Sequence, residues 1–307
     1  MPEALDPATV KPSDAAGLAD LNQAAEDLWL ACSGTWPTLS IEVLPEVGST
    51  NTRALQMGRE GADAPSVVVA WRQSAGRGRS GRSWEAQPGQ TLTVSLALPL
   101  ALDTVPGGGS ALSLAVGLSV AESLDTLRGD GAEPIGLKWP NDLWVRDRKL
   151  GGILIEASTA PALPPGERWV VIGLGLNLDL SEGAPAERLS LRELGLPLSP
   201  GQAMVAVIPG LLNACQAFEA AGFSPLAARY AQRDVLAGRV VSLWPLQAPA
   251  PGLATVDPQA QPAAEGQALG VALDGALRVQ PVDASGQPLG EPLAWRMGEV
   301  SVRPSPR

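Results

Sequence analysis

Short apolar runs separated by glycine and proline dominate the chain from Leu39 onward. Runs of this kind, alternating with segments of helical periodicity, are typical of an α/β domain. The runs predicted to be strands are residues 67–71, 91–98, 136–139, 149–156 and 169–178. The pattern therefore predicts one core with several strands and two or more covering helices.

Two long segments repeat apolar residues at helical spacing. Ser110 is a good N-cap, and after it Leu112, Val116, Val120 and Leu124 recur every four residues. A second helix is predicted within residues 201–221, with Val205, Ile208, Leu212 and Phe218 as its buried stripe. These two helices are expected to cover the sheet.

The two ends of the chain have a different texture. Residues 1–38 form an acidic, alanine-rich extension that we expect to be partly helical, around residues 17–31, or disordered. Residues 39–234 form the predicted α/β domain. In residues 235–307, short apolar runs at 239–243, 268–273, 277–280 and 299–303 predict a small β-barrel. Proline, alanine and glutamine dominate residues 246–266, which predicts a long mobile loop.

Composition and charge exclude several classes of function. The chain of 307 residues has no histidine, which excludes imidazole bases and histidine metal sites. Its formal net charge of -10 disfavours broad binding to nucleic acid. Cys32 and Cys215 lie far apart, so no disulfide framework is predicted. The sequence shows neither a secretion signal nor a run of 18 apolar residues, and we expect a cytoplasmic protein without a membrane partner.

The loop from Gly76 to Trp84 concentrates positive charge. No acid lies between Ala64 and Trp84, and this stretch holds four arginines: Arg72, Arg77, Arg79 and Arg82. Arginine forks match phosphate and carboxylate oxygens, and glycines allow close backbone approach. The same letters fit a dinucleotide-binding G-x-G-x-x-G pattern, but a predicted strand follows them where that fingerprint requires a helix. The loop is therefore predicted to bind an anion, but not as a dinucleotide-binding fingerprint.

Five motifs in order carry a resemblance to a known family. They are residues 46–51 (EVGSTN), 76–84 (GRGRSGRSW), 138–142 (KWPND), 148–156 (RKLGGILIE) and 173–177 (GLGLN), and residues 298–303 (GEVSVR) match the family's C-terminal signature. Over roughly residues 40–303 the chain resembles the biotin protein ligases. The resemblance implies a class II aminoacyl-tRNA synthetase-like catalytic domain with a mixed sheet, followed by an SH3-like β-barrel. The N-terminal segment has one basic residue, Lys11, so we expect no DNA-binding domain and no DNA partner.

The resemblance also implies an activity. Ligases of this family use ATP and Mg²⁺ to convert biotin into biotinyl-5′-AMP, and they transfer biotin to a lysine of a biotin carboxyl carrier protein. Two alternatives remain open: a lipoate or octanoate protein ligase, and a biotin-sensing regulator without transfer activity. The arginine loop and the KWPND motif argue against the first alternative. The sequence leaves the oligomeric state open, a homodimer included.

Roles for individual residues follow from the same resemblance. Lys149, Arg77 and Arg79 are the expected catalytic cations, and Asp142 is the expected Mg²⁺ ligand. The nucleotide is assigned to Arg79, Trp84, Asn141 and Asn177. Biotin is assigned to Ser49, Thr50, Asn51, Gln73, Arg77, Gly78, Arg79, Lys149 and Gly152.

Composition alone favours plainer interpretations of several of these residues. On that basis Lys149 is a solvent-facing lysine and residues 49–51 are a helix cap or a turn. Lys138 is given a structural role. The chain departs from the common family pattern at Ser80, where arginine is frequent, and at Gly151, where alanine is frequent.

Overall fold

Seven strands form one mixed sheet at the centre of the chain. The computed structural model describes residues 12–245, 247–250, 253–255, 262–283, 285–297 and 300–304. The strands are β1 (Ser40–Val47), β2 (Ser66–Gln73), β3 (Thr91–Leu100), β4 (Gly136–Lys138), β5 (Asp142–Val145), β6 (Arg148–Ser158) and β7 (Arg168–Asn177). Their order is β1-β2-β3-β7-β6-β5-β4, in which β1 and β2 are parallel and all other neighbours are antiparallel. The predicted α/β class with a mixed sheet is confirmed.

Helices cover both faces of this sheet. They are α1 (Pro12–Cys32), α2 (Thr50–Arg59), α3 (Gly108–Arg128), α4 (Pro200–Ala221) and the short α5 (Ala227–Ala231). α1, α3 and α4 pack together over one face, whereas α2 packs against β2, β3 and β7. The alternation of β2 shows the two faces, because Val67 and Val69 belong to the large core and Val68 belongs to the smaller core under α2. Burial on both faces explains why the strand runs are continuously apolar.

The predicted helical stripes are buried. Leu112, Val116, Val120 and Leu124 of α3 are all fully buried, as are Ile208, Leu212 and Phe218 of α4, while Val205 is partly exposed. The predicted start of α3 at Ser110 is wrong, because the N-cap is Gly107. Gly107 has a φ of 79°, and a Cβ there would lie 2.1 Å from the carbonyl oxygen of Asp274. Contact with the C-terminal part of the chain therefore fixes the start of this helix.

Residues after Val240 form a second, antiparallel sheet. Its strands are β8 (Val240–Pro245), β11 (Ala264–Val271), β12 (Leu277–Pro281), β13 (Leu293–Trp295) and β14 (Val300–Pro304), in the order β13-β12-β11-β8-β14. The last predicted strand corresponds to β14, while Gly298 and Glu299 of its motif lie outside the described residues. The expectation of a barrel remains a prediction.

The predicted mobile loop over residues 246–266 is wrong where the structure describes it. Two strands, β9 (Gln247–Ala250) and β10 (Leu253–Thr255), pair antiparallel there, and β11 already begins at Ala264. β10 lies against residues Arg79–Gly81 of the arginine loop. Backbone pairing, which requires no bulky side chains, accounts for strands in so proline- and alanine-rich a segment.

The turn between β11 and β12 packs against the first part of the chain. The indole Nε1 of Trp139 donates to the carbonyl oxygen of Gly275 at 2.9 Å, and both groups are buried. A Cβ on Gly275 would lie 2.9 Å from the Cα of Ala111 in α3. The 138–142 turn and the start of α3 are therefore in close contact with the C-terminal sheet.

α4 is long and apolar enough, by length and composition, to span a membrane. Helices in the core of a folded domain also meet this criterion. Ala203, Met204, Val207, Ile208 and Leu211 are among its buried residues, and the helix packs against α1, α3 and β3. These contacts are those of a core helix.

A capping box begins α4 and gives a stability test. Ser199 Oγ accepts from Gln202 N at 3.1 Å, and the Gln202 side chain accepts from Ser199 N at 2.9 Å. Ser199→Ala should lower the free energy of unfolding by about 1 kcal/mol, because the Gln202 amide loses its acceptor and Asp20 loses the hydroxyl that donates to it. Urea unfolding measures the change, with Thr35→Ala at an exposed turn as the control. Equal stabilities of the two variants would contradict this role for the cap.

Candidate active site

A single cavity gathers most of the predicted site residues. It lies between the arginine loop, the 138–142 turn and the strands β3, β6 and β7. The predicted residues that line it are Ser49, Thr50, Asn51, Gln73, Arg77, Gly78, Arg79, Trp84, Asn141, Asp142, Lys149 and Gly152. Asn177 does not line the cavity.

A hydrogen-bond network of buried polar groups forms one wall. Gln73 Oε1 accepts from Thr50 N at 2.7 Å and from Thr50 Oγ1 at 3.2 Å. Ser95 Oγ lies 2.8 Å from Thr50 Oγ1 and 2.6 Å from Asn51 Oδ1. Because buried polar groups are costly when unpaired, this network holds Thr50, Asn51 and Gln73 in fixed positions.

Asn51 connects this wall to the arginine loop through Glu156. Asn51 Nδ2 donates to the carbonyl oxygen of Leu154 at 3.2 Å and to Glu156 Oε2 at 2.9 Å. The other carboxylate oxygen of Glu156 accepts from Arg77. Glu156 therefore links a polar side chain of the cavity wall to the first arginine of the loop.

The arginine loop folds back on itself as a tight hairpin. Gly78 N donates to the Arg82 carbonyl oxygen at 2.8 Å, and Trp84 N donates to the Gly76 carbonyl oxygen at 2.9 Å. Ser80, at the tip, has a φ of 56°. The fold of the loop brings Arg79, Arg82 and Trp84 to the same cavity.

Trp84 is seated against the sheet because Gly175 has no side chain. A Cβ on Gly175 would lie 2.3 Å from the indole ring. The Nζ of Lys149 lies 5.6 Å from the centroid of the same ring, within range of a cation–π contact. The indole thus covers the cavity beside Lys149.

Lys149 forms an ion pair inside the cavity rather than facing bulk solvent. Its Nζ lies 2.6 Å from Asp142 Oδ1, and the lysine side chain is 35% exposed. A Cβ on Gly152 would lie 3.2 Å from that Nζ, so glycine leaves room for the ammonium group. The interpretation of Lys149 from composition alone is therefore wrong in this respect.

Arg79 is the most enclosed arginine of the loop. Its Nη1 donates to Asn141 Oδ1 at 2.9 Å, and Asn141 Nδ2 donates to the Ile153 carbonyl oxygen at 2.6 Å. Burial lowers the pKa of Arg79, and the charge of Asp142 opposes that shift. Asn141 thus connects the loop to β6.

The 138–142 turn presents Lys138, Asn141 and Asp142 to the cavity. The Trp139–Pro140 peptide bond is cis. The Pro140 carbonyl oxygen accepts from Ser113 Oγ at 3.1 Å, which ties the turn to α3. Burial lowers the pKa of Lys138, whose Nζ lies 4.5 Å from the centroid of the Trp144 ring.

The side chain of Asn177 is hydrogen-bonded to the backbone of Lys149. It is 4% exposed, and its Nδ2 donates to the carbonyl oxygens of Lys149 at 3.2 Å and Leu189 at 3.1 Å. Its amide nitrogen therefore contacts backbone. The predicted nucleotide contact of Asn177 remains untested.

Sequence reasoning gave no role to Ser95 or Glu156. Ser95 is fully buried at the centre of the polar wall. Glu156 ends the RKLGGILIE motif, and its position there was the one available signal. Ser95 lies in an apolar run, and only its contact with Asn51, 44 positions away, reveals its role.

Comparison with known proteins agrees with this geometry. The pattern of the biotin/lipoate A/B protein ligase family matches residues 43–177. The bifunctional ligase/repressor BirA of Escherichia coli is 34% identical over 208 residues, which are 66% of this chain and 62% of BirA. The biotin--[acetyl-CoA-carboxylase] ligase of Mycobacterium tuberculosis is 37% identical over 158 residues, 51% of this chain and 56% of that protein. The matches thus span less than two thirds of these relatives.

The fold is also that of a solved ligase. The biotin protein ligase of Aquifex aeolicus, determined with biotin and ATP, superposes with a TM-score of 0.63 at 23% identity and covers 87% of this chain and 99% of that one. Over residues 43–177 the chain is similar to the biotin/lipoate A/B protein ligase family, and the relatives that it matches include biotin protein ligases.

The seat of Trp84 on Gly175 can be tested without any ligand. Gly175→Ala should displace the indole, because the added methyl group occupies the position of the ring. The loosened loop should then be cleaved by trypsin after Arg77, Arg79 or Arg82 at least about tenfold faster than in the parent chain, since proteases act on locally open segments. Gly34→Ala is the control, because a Cβ there meets nothing within 4 Å. Unchanged cleavage would show that Trp84 is not held by this contact.

Proposed function

We propose that the protein is an ATP-dependent biotin protein ligase. In this reaction the carboxylate of biotin attacks the α-phosphate of ATP to give biotinyl-5′-AMP and pyrophosphate. A lysine of a biotin carboxyl carrier protein then attacks the mixed anhydride and releases AMP. The observation that carries the proposal is that a polar wall around Asn51 and the cations Lys149 and Arg79 face one cavity.

The polar wall suits the ureido ring of biotin. Hydrogen bonds between described residues use Gln73 Oε1, but none engages Gln73 Nε2 or Ser49 Oγ, and both residues line the cavity. A ureido group needs donors for its oxygen and acceptors for its two N–H groups. Gln73 Nε2 and the hydroxyl of Ser49 supply such groups in a wall whose other members are held in place.

The cations suit the chemistry of both steps. Adenylation brings a carboxylate and the α-phosphate together, so negative charge accumulates where fixed positive groups stabilise it best. Lys149 and Arg79 are held by Asp142 and Asn141, which limits the reorganisation that the reaction requires. Trp84 would cover the reacting groups and exclude water from the adenylate.

Asp142 is the residue that would hold Mg²⁺. Among the described residues no cluster of three or more cysteine, aspartate or glutamate side chains forms a ready metal site. One carboxylate together with substrate phosphates is a usual arrangement for Mg²⁺, so a single aspartate fits. When bound, the ion would neutralise phosphate charge beside the Lys149 ammonium.

The second sheet is proposed to complete the site. We assign residues 39–234 to a class II aminoacyl-tRNA synthetase-like catalytic domain and residues 235–307 to an SH3-like barrel. Val302 of β14 lines the cavity, which supports a role for this part of the chain in nucleotide or carrier binding. We place the reaction in the cytoplasm, where the free cysteines Cys32 and Cys215 stay reduced.

One assay tests the proposal. The protein is incubated with ATP, Mg²⁺ and biotin, lipoate or octanoate, together with a biotin carboxyl carrier domain, and the carrier mass is measured. Addition of biotin alone supports the proposed ligase. Addition of lipoate or octanoate to the carrier supports a lipoate or octanoate protein ligase. Biotin-dependent release of pyrophosphate with no change in the carrier mass supports the regulator.

Lys149 should be essential for the first step. Lys149→Ala should lower the rate of biotin-dependent pyrophosphate–ATP exchange by about 30-fold to 1000-fold, because the carboxylate and the α-phosphate lose a fixed cation. Arg59→Ala, at an exposed position on α2, removes the same charge and serves as the control. An exchange rate near that of the control would show that Lys149 is not the catalytic cation.

A further inference from the structure

The cations of the cavity fall into two groups according to their partners. Lys149 is paired with Asp142, Arg77 with Glu156, and Arg79 donates to Asn141. Lys138 and Arg82 differ from these three, because no hydrogen bond or ion pair within the described part of the chain engages either side chain. Arg82 is exposed, whereas Lys138 is partly buried and its ammonium group contacts the ring of Trp144 at 4.5 Å.

The position of Lys138 makes this arrangement costly unless an anion binds. Lys138 ends β4, and its Cα is paired with that of Asp142 across the β4–β5 hairpin. Asp142 Oδ1 is already engaged by Lys149 at 2.6 Å. Lys138 is partly buried, and an ammonium group that loses hydration without gaining an acceptor is costly.

Other positive groups gather around Lys138. Arg82 lines the same cavity, and Val302 brings β14 to its wall, with Arg303 as the next residue. Burial lowers the pKa of Lys138 most, the charge of Asp142 opposes that shift, and the charges of Lys149, Arg82 and Arg303 lower the pKa further. Like charges are retained together at such a site where a multiply charged anion binds between them.

We propose that Lys138 binds the two phosphates of ATP that leave as pyrophosphate. This inference rests on the proposed ligase function and gives Lys138 a role that differs from the structural one expected from sequence. During adenylation a biotin carboxylate oxygen forms a bond to the α-phosphorus. The bond from that phosphorus to the bridging oxygen breaks, and its electron pair leaves with pyrophosphate. Lys138 stabilises the charge that accumulates on this leaving group.

The position of the two lysines separates their roles. Lys149 lies beside Trp84 and Asp142, where the carboxylate and the α-phosphate are proposed to meet. Lys138 lies beside Trp144 and the end of β4. Loss of Lys149 should therefore impair both steps of the reaction, whereas loss of Lys138 should impair chiefly the step that releases pyrophosphate.

The test compares Lys138→Met, which keeps an apolar stem over Trp144 but removes the charge, with Lys138→Arg, which keeps the charge. Arg59→Met is the matched control for loss of one positive charge. Three quantities are measured: the rate of biotin- and ATP-dependent pyrophosphate release, binding of magnesium pyrophosphate by calorimetry, and transfer to the carrier from biotinyl-5′-AMP made chemically. Thermal unfolding establishes that each variant is folded.

The expected result is selective. Lys138→Met should lower pyrophosphate release about 100-fold and weaken pyrophosphate binding at least tenfold. The rate of transfer from preformed biotinyl-5′-AMP should also fall in Lys138→Met, but by a factor at least about tenfold smaller than the factor for pyrophosphate release. Lys138→Arg should restore most of the pyrophosphate affinity, and Arg59→Met should behave as the parent chain does.

Two outcomes would overturn the inference: unchanged pyrophosphate binding in Lys138→Met, and equal losses in release and in transfer. If Lys138→Met does not fold, Lys138→Gln replaces it and is judged by the same two outcomes. Failure of the ligase proposal looks different, because the parent chain would then form no adenylate. Binding of pyrophosphate to the parent chain, compared with Lys138→Met, would still decide the role of Lys138.

Discussion

The ion pair between Lys149 and Asp142 is the interaction on which the site depends. It crosses from β6 to β5 at 2.6 Å. The backbone of Lys149 is held as well, because its N–H donates to the Glu187 carbonyl oxygen at 2.6 Å and its carbonyl oxygen accepts from Leu189 N at 2.8 Å. Asn177 adds a third contact from β7. Lys149 is thus held both at its backbone and at its ammonium group, which is the preorganisation that electrostatic catalysis requires.

Glycines give this arrangement its space. The strand β7 carries glycine where side chains from α2 and from the arginine loop lie against the sheet. A Cβ on Gly173 would lie 2.2 Å from Asn51 Oδ1, and one on Gly175 would lie 2.3 Å from the Trp84 ring. Glycine weakens a strand, so its presence at these positions marks close approach of other groups. The glycines of the GLGLN motif are therefore explained by the packing of Asn51 and Trp84, apart from any contact with nucleotide.

Much of the central sheet could be predicted from sequence, because its strands are buried on both faces and their apolar runs are continuous. β1 lies at an exposed edge and contains Pro45 and two glutamates, and β5 has four residues, so neither gives such a run. The motifs indicated most of the cavity residues. Contacts across the fold were hidden, since nothing local connects Ser95 to Asn51 or Asp274 to Gly107. A strand pattern also gives no sign that the Asn177 amide nitrogen contacts the backbone.

The 138–142 turn joins the two sheets, and this has a mechanical consequence. Trp139 is fixed to Gly275 in the turn between β11 and β12, while Lys138 and Asn141 face the cavity. Pro140 is held in turn by Ser113 of α3, whose start is shaped by Asp274. A shift of the C-terminal sheet would therefore move the turn and the start of α3 together. Because Arg79 donates to Asn141, such a shift would reach the arginine loop through this hydrogen bond. The second sheet can thus influence the cations of the cavity through buried contacts, in addition to the cavity wall that Val302 supplies directly.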